Sequence, residues 1–257
     1  MEHDSKKIIL PSVAVKTQEG SREFYDGAWK QWESMIKYSP APRIRRNKII
    51  SWLSSVSPKN ILDVGCGNGE LLMDAHRLMP DVKLAGADIS TAITESNRIK
   101  YPNIEFLKID LNKEALPVKF DAVICMEVIE HCDNYLAAVK NLAAMTGKWL
   151  LITVPCGPVF EIDRRVGHKG HFKPKEMVEA LKKEGLHVIK LEEWGFPFFN
   201  LYKHMINLWP DKMCESFLSE KKYSFRQKIL ASATYAAFNL CLPKWGYQLF
   251  VMAIRNS

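Results

Sequence analysis

The chain reads as an open, doubly wound α/β sheet, and three observations predict it. A β-prone run, Asn60-Ile61-Leu62-Asp63-Val64, ends at Gly65, Gly67 and Gly69 and gives way to the helical spacing of Leu71 to Leu78. Strand-like and helix-like stretches then alternate from residue 60 to Pro155, the pattern of parallel strands joined by crossovers. Among them Phe120-Asp121-Ala122-Val123-Ile124-Cys125 is nearly continuously apolar, as a parallel strand covered on both faces must be.

The 257 residues, 47% hydrophobic and 25% charged, suffice for one domain with a large core. The net charge of +7 is compatible with an anionic partner, although a solvated basic surface explains it as well. Cys66, Cys125, Cys132, Cys156, Cys214 and Cys241 form no C-x-x-C pair. A zinc site or disulfide framework is therefore not expected, and a reducing cytoplasm fits. The N-terminus lacks the apolar stretch of a secretory signal, and no run of about 18 apolar residues predicts a transmembrane helix.

Taken in order, Tyr25, Trp29 and Trp32 fall on one face of a helix, which predicts a helical cap over about residues 20–56. Ser39-Pro40-Ala41-Pro42 is expected to break it, and Arg43 to Val56 to form a second helix. The first strand and its glycine turn follow, and that turn lets a ligand approach the backbone and the N–H groups of the next helix. A dinucleotide fingerprint would place a third glycine at position 70, where this chain has Glu70. The second strand, Lys83 to Asp88, ends in an acid suited to a ribose, with Ser90 or Thr91 left to cap the next helix. A third strand is expected over Ile104 to Leu111, including Asp110, and the fifth over Lys148 to Pro155.

A helix from Pro174 to Glu184 and a strand from Leu186 to Leu191 come next. About residues 196–245 then read as helices inserted before a last strand, Tyr247 to Arg255. Ile229 to Leu242 is too short to span a bilayer. It is expected to pack on the core or lid a pocket, with an interfacial helix as the alternative.

The Asp63-x-Gly65-x-Gly67-x-Gly69 spacing, Asp88, Asp110, the Phe120–Cys125 strand with Glu127-Val128-Ile129-Glu130-His131, and the strand ending Val154-Pro155 occur in order. Together they resemble the class I methyltransferases that use S-adenosylmethionine, in the small-molecule branch of the quinone-biosynthesis O-methyltransferases. The resemblance covers roughly residues 40–200 and the last strand. It implies a Rossmann-like seven-stranded sheet and a cofactor set of Asp63, Gly65, Cys66, Gly67, Asp88, Ile89, Asp110, Leu111 and Met126. Asp63 would lie near the cofactor ammonium, Asp88 at the ribose and Asp110 at the adenine. Pro42-Arg43 resembles an element whose Arg meets the cofactor carboxylate. Gly167, His168 and Phe172 match a Gly-His-x-Arg-x-aromatic-Thr element, from which Gly170 and Lys173 depart.

Methylation of an oxygen needs a base or a metal to make it nucleophilic. His131 and His168 are the candidate bases. Relatives with Glu-x-x-Glu-His imply a candidate divalent metal set of Glu127, Glu130 and His131 with a later histidine, His171 or His168, and the first three are expected on one helix face. The reading without a metal is preferred. The expected acceptor is a small molecule of lipophilic or aromatic character, with peripheral membrane contact a further expectation. The alternatives are an RNA 3′-end methyltransferase with a metal site and a non-catalytic cofactor-binding scaffold. The absence of a separate RNA-binding module disfavours the first, and the intact glycine motif disfavours the second.

Overall fold

The computed structural model describes residues 35–217 and 223–256. Seven strands form one sheet: β1 (Asn60–Val64), β2 (Lys83–Asp88), β3 (Glu105–Lys108), β4 (Phe120–Met126), β5 (Thr146–Pro155), β6 (Leu186–Trp194) and β7 (Gln248–Arg255). Their order is β3-β2-β1-β4-β5-β7-β6. The first five are parallel, and β7 runs antiparallel between β5 and β6.

Side chains of a strand alternate between its two faces, and here both faces are covered. On one face Leu62, Val64, Val123 and Cys125 pack against helices α4 (Tyr135–Met145) and α6 (Pro174–Lys183). On the other, Ile61, Ala122 and Ile124 meet helix α1 (Pro40–Val56) and Leu71 of helix α2 (Glu70–Leu78). This two-sided burial is why β1 and β4 are apolar without a break at their centres.

Helix α1 begins at Pro40 rather than at Arg43. Prolines are tolerated in a first turn, where their missing N–H groups would have no partner in any case. The expected Tyr25–Trp29–Trp32 helix lies outside the described residues. Strand β3 ends at Lys108, short of the expected Leu111, because Asp110 turns the chain by accepting from the backbone of Asn112. No helix separates β3 from β4, so the alternation skips one step there. Helix α3 (Thr91–Lys100) is capped by Ser90, whose Oγ accepts from the Ile93 N–H at 3.2 Å. Asp88 is thereby left for other work.

Between β5 and β6 lies a short helix, α5 (Glu161–Arg165). Between β6 and β7 lie α7 (Phe198–Ile206), α8 (Pro210–Phe217) and α9 (Phe225–Phe238). Phe199 of α7 and Phe238 of α9 both pack on Trp194, with ring centroids 5.0 and 5.9 Å away. These aromatic contacts join the inserted helices to the sheet core. Phe238→Ala is expected to cost about 3–5 kcal/mol, the usual range for emptying a buried aromatic site. Chemical denaturation checks this, and the transition should remain single because the insertion shares the sheet's core.

Candidate active site

The strand order reverses between β1 and β4, and in open α/β sheets ligands bind at the carboxyl ends beside such a switch point. The turn after β1 sits there. Gly65 has φ +75°, and a Cβ on it would come within 2.2 Å of a Val128 methyl carbon. A side chain at position 65 is therefore excluded twice, by conformation and by space. Gly69, also left-handed at φ +79°, is the residue from which α2 starts.

Two buried acids flank this turn. Asp88 at the end of β2 accepts from the Gly67 N–H and the Ser90 N–H, both at 3.0 Å. Asn97 of α3 donates to the Gly67 carbonyl at 2.7 Å. The loop is thus tied to β2 and α3 before any ligand arrives. Asp63 in β1 is buried, and that burial, with the charge of Asp88 second, pushes its carboxyl from 3.8 up to about 8. Cys66 is buried and its thiol is pushed well up by the same burial and the same two acids, so it is not a nucleophile.

Met126 ends β4, and the next residue, Glu127, adopts a left-handed φ of +57°, rare outside glycine. Its carboxylate is held by Thr153 Oγ at 2.9 Å, Gln248 Nε2 at 2.8 Å and Arg45 at 3.2 Å. A single 3₁₀ turn, Ile129–His131, follows. The expected helix face carrying Glu127, Glu130 and His131 therefore does not form. Glu130 turns inward, and neither of its buried carboxyl oxygens has a protein hydrogen-bond partner. Burial, then Glu127, raises its pKa well above the usual carboxylate range.

The segment after β5 completes the cluster. His131 Nδ1 lies 3.2 Å from the Gly167 carbonyl, so Nδ1 carries the proton donated to that oxygen and Nε2 carries the lone pair. His168 meets His131 edge-on, with centroids 4.9 Å apart, and its Nδ1 is 3.3 Å from His171 Nε2. His171 Nε2 is also 3.5 Å from Asp163, which pairs with Lys203 from α7. Burial lowers His131 to about 4. Burial and the neighbouring His131 and His171 lower His168 to about 2. Both imidazoles are therefore neutral at physiological pH.

Among the described residues two donor sets gather within 4.8 Å: Glu130, His131 and His168, and Asp163, His168 and His171. The four-residue set expected from sequence, Glu127 with Glu130, His131 and either His171 or His168, is not assembled. Glu127 is committed to Arg45, and His171 belongs with Asp163. The bare oxygens of Glu130 fit a cation in the first set.

Asp63, Gly65, Cys66, Gly67, Asp88 and Met126 all lie at the carboxyl edge of the sheet. Ile89 follows β2 directly, and Asp110 and Leu111 follow β3, where the Ile109 N–H bonds the Asp88 carbonyl. Asp110 also pairs with Lys113 at 3.1 Å. Arg43 is placed differently. Its guanidinium stacks on Tyr235 of α9 at 4.0 Å, facing the insertion. Arg45 reaches the Glu127 carboxylate instead, since two residues along a helix turn a side chain through about 200°. Sequence reasoning missed Arg45, Thr153, Gln248, Asp163 and Lys203. Of these only Asp163 carried a signal, as the acid heading the stretch that holds His168 and His171.

The fold and this edge define an α/β protein with a glycine turn between two buried acids and a buried histidine cluster at the carboxyl edge of its sheet. A family model described as "Methyltransferase domain" matches residues 41–212, and the chain belongs to that family. A ubiquinone biosynthesis O-methyltransferase of Albidiferax ferrireducens is 29% identical over 140 residues, covering 51% of this chain and 56% of that protein. The chain spans 42% to 59% of the length of the first three curated relatives it matches. The N-methyltransferase NodS from Bradyrhizobium japonicum, solved with S-adenosylhomocysteine, superposes with a TM-score of 0.60 at 13% identity, covering 92% of this chain and 99% of that one. Magnesium protoporphyrin IX methyltransferase from Synechocystis, solved with S-adenosylmethionine, gives 0.57 at 16% identity over 92% and 95%. These two likenesses establish the class I methyltransferase fold.

Asp63 holds its proton up to pH of about 8 in the folded chain but only up to 3.8 when unfolded. The folded state therefore binds more protons, and stability falls as pH rises between those values. Asp63→Asn removes this penalty. Thermal melts at pH 8 should show the variant more stable by on the order of 5 kcal/mol, with the difference vanishing below pH of about 4.

Proposed function

We propose that the protein transfers a methyl group from S-adenosylmethionine to an oxygen of a small-molecule acceptor. One observation carries this reading. The glycine turn between two buried acids touches, through Gly65 and Val128, the segment that presents His131. A cofactor seated on the turn and an acceptor beside the histidines would then be neighbours.

When bound, the cofactor supplies a methyl group already activated by its sulfonium. Asp63, as a carboxylate, would face the cofactor ammonium. Asp88 would accept from the ribose hydroxyls, and Asp110 from the adenine amino group. The Gly65–Gly69 backbone would hold the amino-acid end and so orient the methyl donor. His131 Nε2 takes the proton leaving the acceptor hydroxyl while its Nδ1–H stays on Gly167. His168, packed edge-on, holds the ring in place. Lys203, arriving from α7 at Asp163, brings the insertion beside the histidine cluster. Phe160, His204 and Tyr247 pack beside it, with Phe160 and His204 centroids 4.9 Å apart. These rings support an aromatic or lipophilic acceptor. Oxygen is preferred because the ubiquinone relative is named for O-methyl transfer.

The bare Glu130 oxygens favour a second reading, in which Glu130, His131 and His168 hold a divalent cation that would polarise the acceptor oxygen. Adding chelator to an active preparation separates the two. Undiminished turnover supports the base reading, and loss restored by Mg²⁺ or Mn²⁺ supports the cation.

Isothermal titration should detect S-adenosylhomocysteine binding to the wild type and to His131→Ala alike. With a panel of phenols and catechols, release of S-adenosylhomocysteine should fall about 10²–10⁴-fold in His131→Ala. The acid limb of the wild-type rate should lie near pH of about 4, where His131 protonates, and not near 6.5. Failure to bind S-adenosylhomocysteine contradicts the proposal at its root.

A further inference from the structure

The insertion exposes apolar surface that the methyl-transfer chemistry does not use. Seventeen large hydrophobic side chains are exposed among the described residues, and twelve of them lie between Phe196 and Trp245. Helix α9 concentrates the effect. Of its fourteen residues only Ala231 and Phe238 are buried. Phe225, Ile229, Ala233, Ala236 and, just past its end, Leu240 recur at spacings of three or four, which places them on one stripe. All five are exposed: Phe225 at 78%, Ile229 at 54% and Leu240 at 69%, with the two alanines between them. Leu230 beside the stripe is 68% exposed.

At its carboxyl end the stripe runs into a second exposed group. Leu242 bridges to Phe196, and Phe196 packs edge-on against Trp245 with centroids 6.1 Å apart. A soluble helix normally turns charged side chains outward and apolar ones inward. Here the outward face is apolar, and the inward one carries Tyr235, which bonds Asn47 and supports Arg43.

Along the segment itself the charges are of one sign. From Ser224 to Trp245 there is no Asp or Glu, while Arg226, Lys228 and Lys244 are present and exposed. Glu192, which lines a cavity with Asn239 and Pro243, is paired with Lys48 and Lys190, so the carboxylate beside this segment is neutralised. Apolar side chains interspersed with cations match the boundary between headgroups and acyl chains of a negatively charged membrane. Helix α9 is fourteen residues, about 21 Å long at 1.5 Å per residue. No helix among the described residues is long and apolar enough to cross a membrane. The arrangement is that of a helix lying in the surface plane.

We propose that the outer face of α9, with the Phe196–Leu242–Trp245 group behind it, docks onto an anionic lipid bilayer. The proposal stands on exposure, spacing and charge, and does not depend on the reaction assigned above.

The test uses the full chain with vesicles of phosphatidylcholine alone and of phosphatidylcholine mixed with phosphatidylglycerol. Flotation at low salt should recover the protein with the mixed vesicles, with partitioning about tenfold weaker onto neutral ones. Ile229→Glu combined with Leu230→Glu should abolish binding, and Arg226→Gln combined with Lys244→Gln should reduce it about tenfold. Both positions of the first pair are exposed, and unchanged S-adenosylhomocysteine binding or an unchanged melting temperature shows that the variants fold. No flotation with anionic vesicles overturns the proposal, as does flotation that survives both double variants. Self-association of the wild type that Ile229→Glu with Leu230→Glu abolishes, without vesicle binding, overturns it in favour of a second copy on this face.

Discussion

Two carboxyl groups buried at the ends of adjacent parallel strands are the constraint around which this molecule is arranged. Asp63 sits in β1 and Asp88 ends β2, with Asp63 in register with Gly86. Burying two acids side by side is unfavourable unless something offsets it. Asp88 is offset internally, by the N–H groups of Gly67 and Ser90. Asp63 is offset by keeping its proton, which is why its carboxyl sits near the range of a neutral-pH acid. A cationic ligand at the turn would supply what water cannot. The glycines follow from this, because only residues without a Cβ leave the backbone close enough to Val128 and to an incoming ligand.

The other half of the site is made by convergence of distant segments. The turn after β4 brings Glu127, Glu130 and His131, and the loop after β5 brings Asp163, His168 and His171. The insertion brings Lys203, and β7 brings Gln248. Glu127 shows how tightly the arrangement is held. Its left-handed backbone persists because Thr153, Gln248 and Arg45 all bind its carboxylate. The inserted helices are anchored by Phe199 and Phe238 against Trp194. One side of the insertion therefore brings Lys203 to Asp163 while another faces outward with apolar side chains.

The sheet was legible because its signals are local. Alternating apolar runs, a glycine turn and the acid ending β2 each declare themselves within a few residues. Element ends were less so. The break read at Ser39 to Pro42 falls at Ser39, and Pro40 and Pro42 form the first turn of the next helix, while Asp110 cut β3 short through a bond to Asn112. The candidate cofactor residues gather at one edge of the sheet, whereas Arg43 of Pro42-Arg43 stacks on Tyr235 and Arg45 is the guanidinium that reaches Glu127. A helix turns about 200° in two residues, and which face meets the site depends on packing that no local pattern records. Glu127, Glu130 and His131 misled for a related reason, since their spacing implies a common face only if the backbone is α-helical. Gln248 and Lys203 had no signal at all. Gln248 lies 121 residues from Glu127 and Lys203 lies 40 from Asp163, and only the folded chain joins them.

The central claim is that Asp63 waits as a neutral acid for a cationic cofactor group. Titration of S-adenosylhomocysteine into the protein at pH 7, in buffers of different ionisation enthalpy, tests it most directly. If the ammonium draws Asp63 into its charged form, binding should release about one proton, and Asp63→Asn should bind weakly and release none. Binding without proton release, or an Asp63→Asn variant that binds like the wild type, would contradict the account.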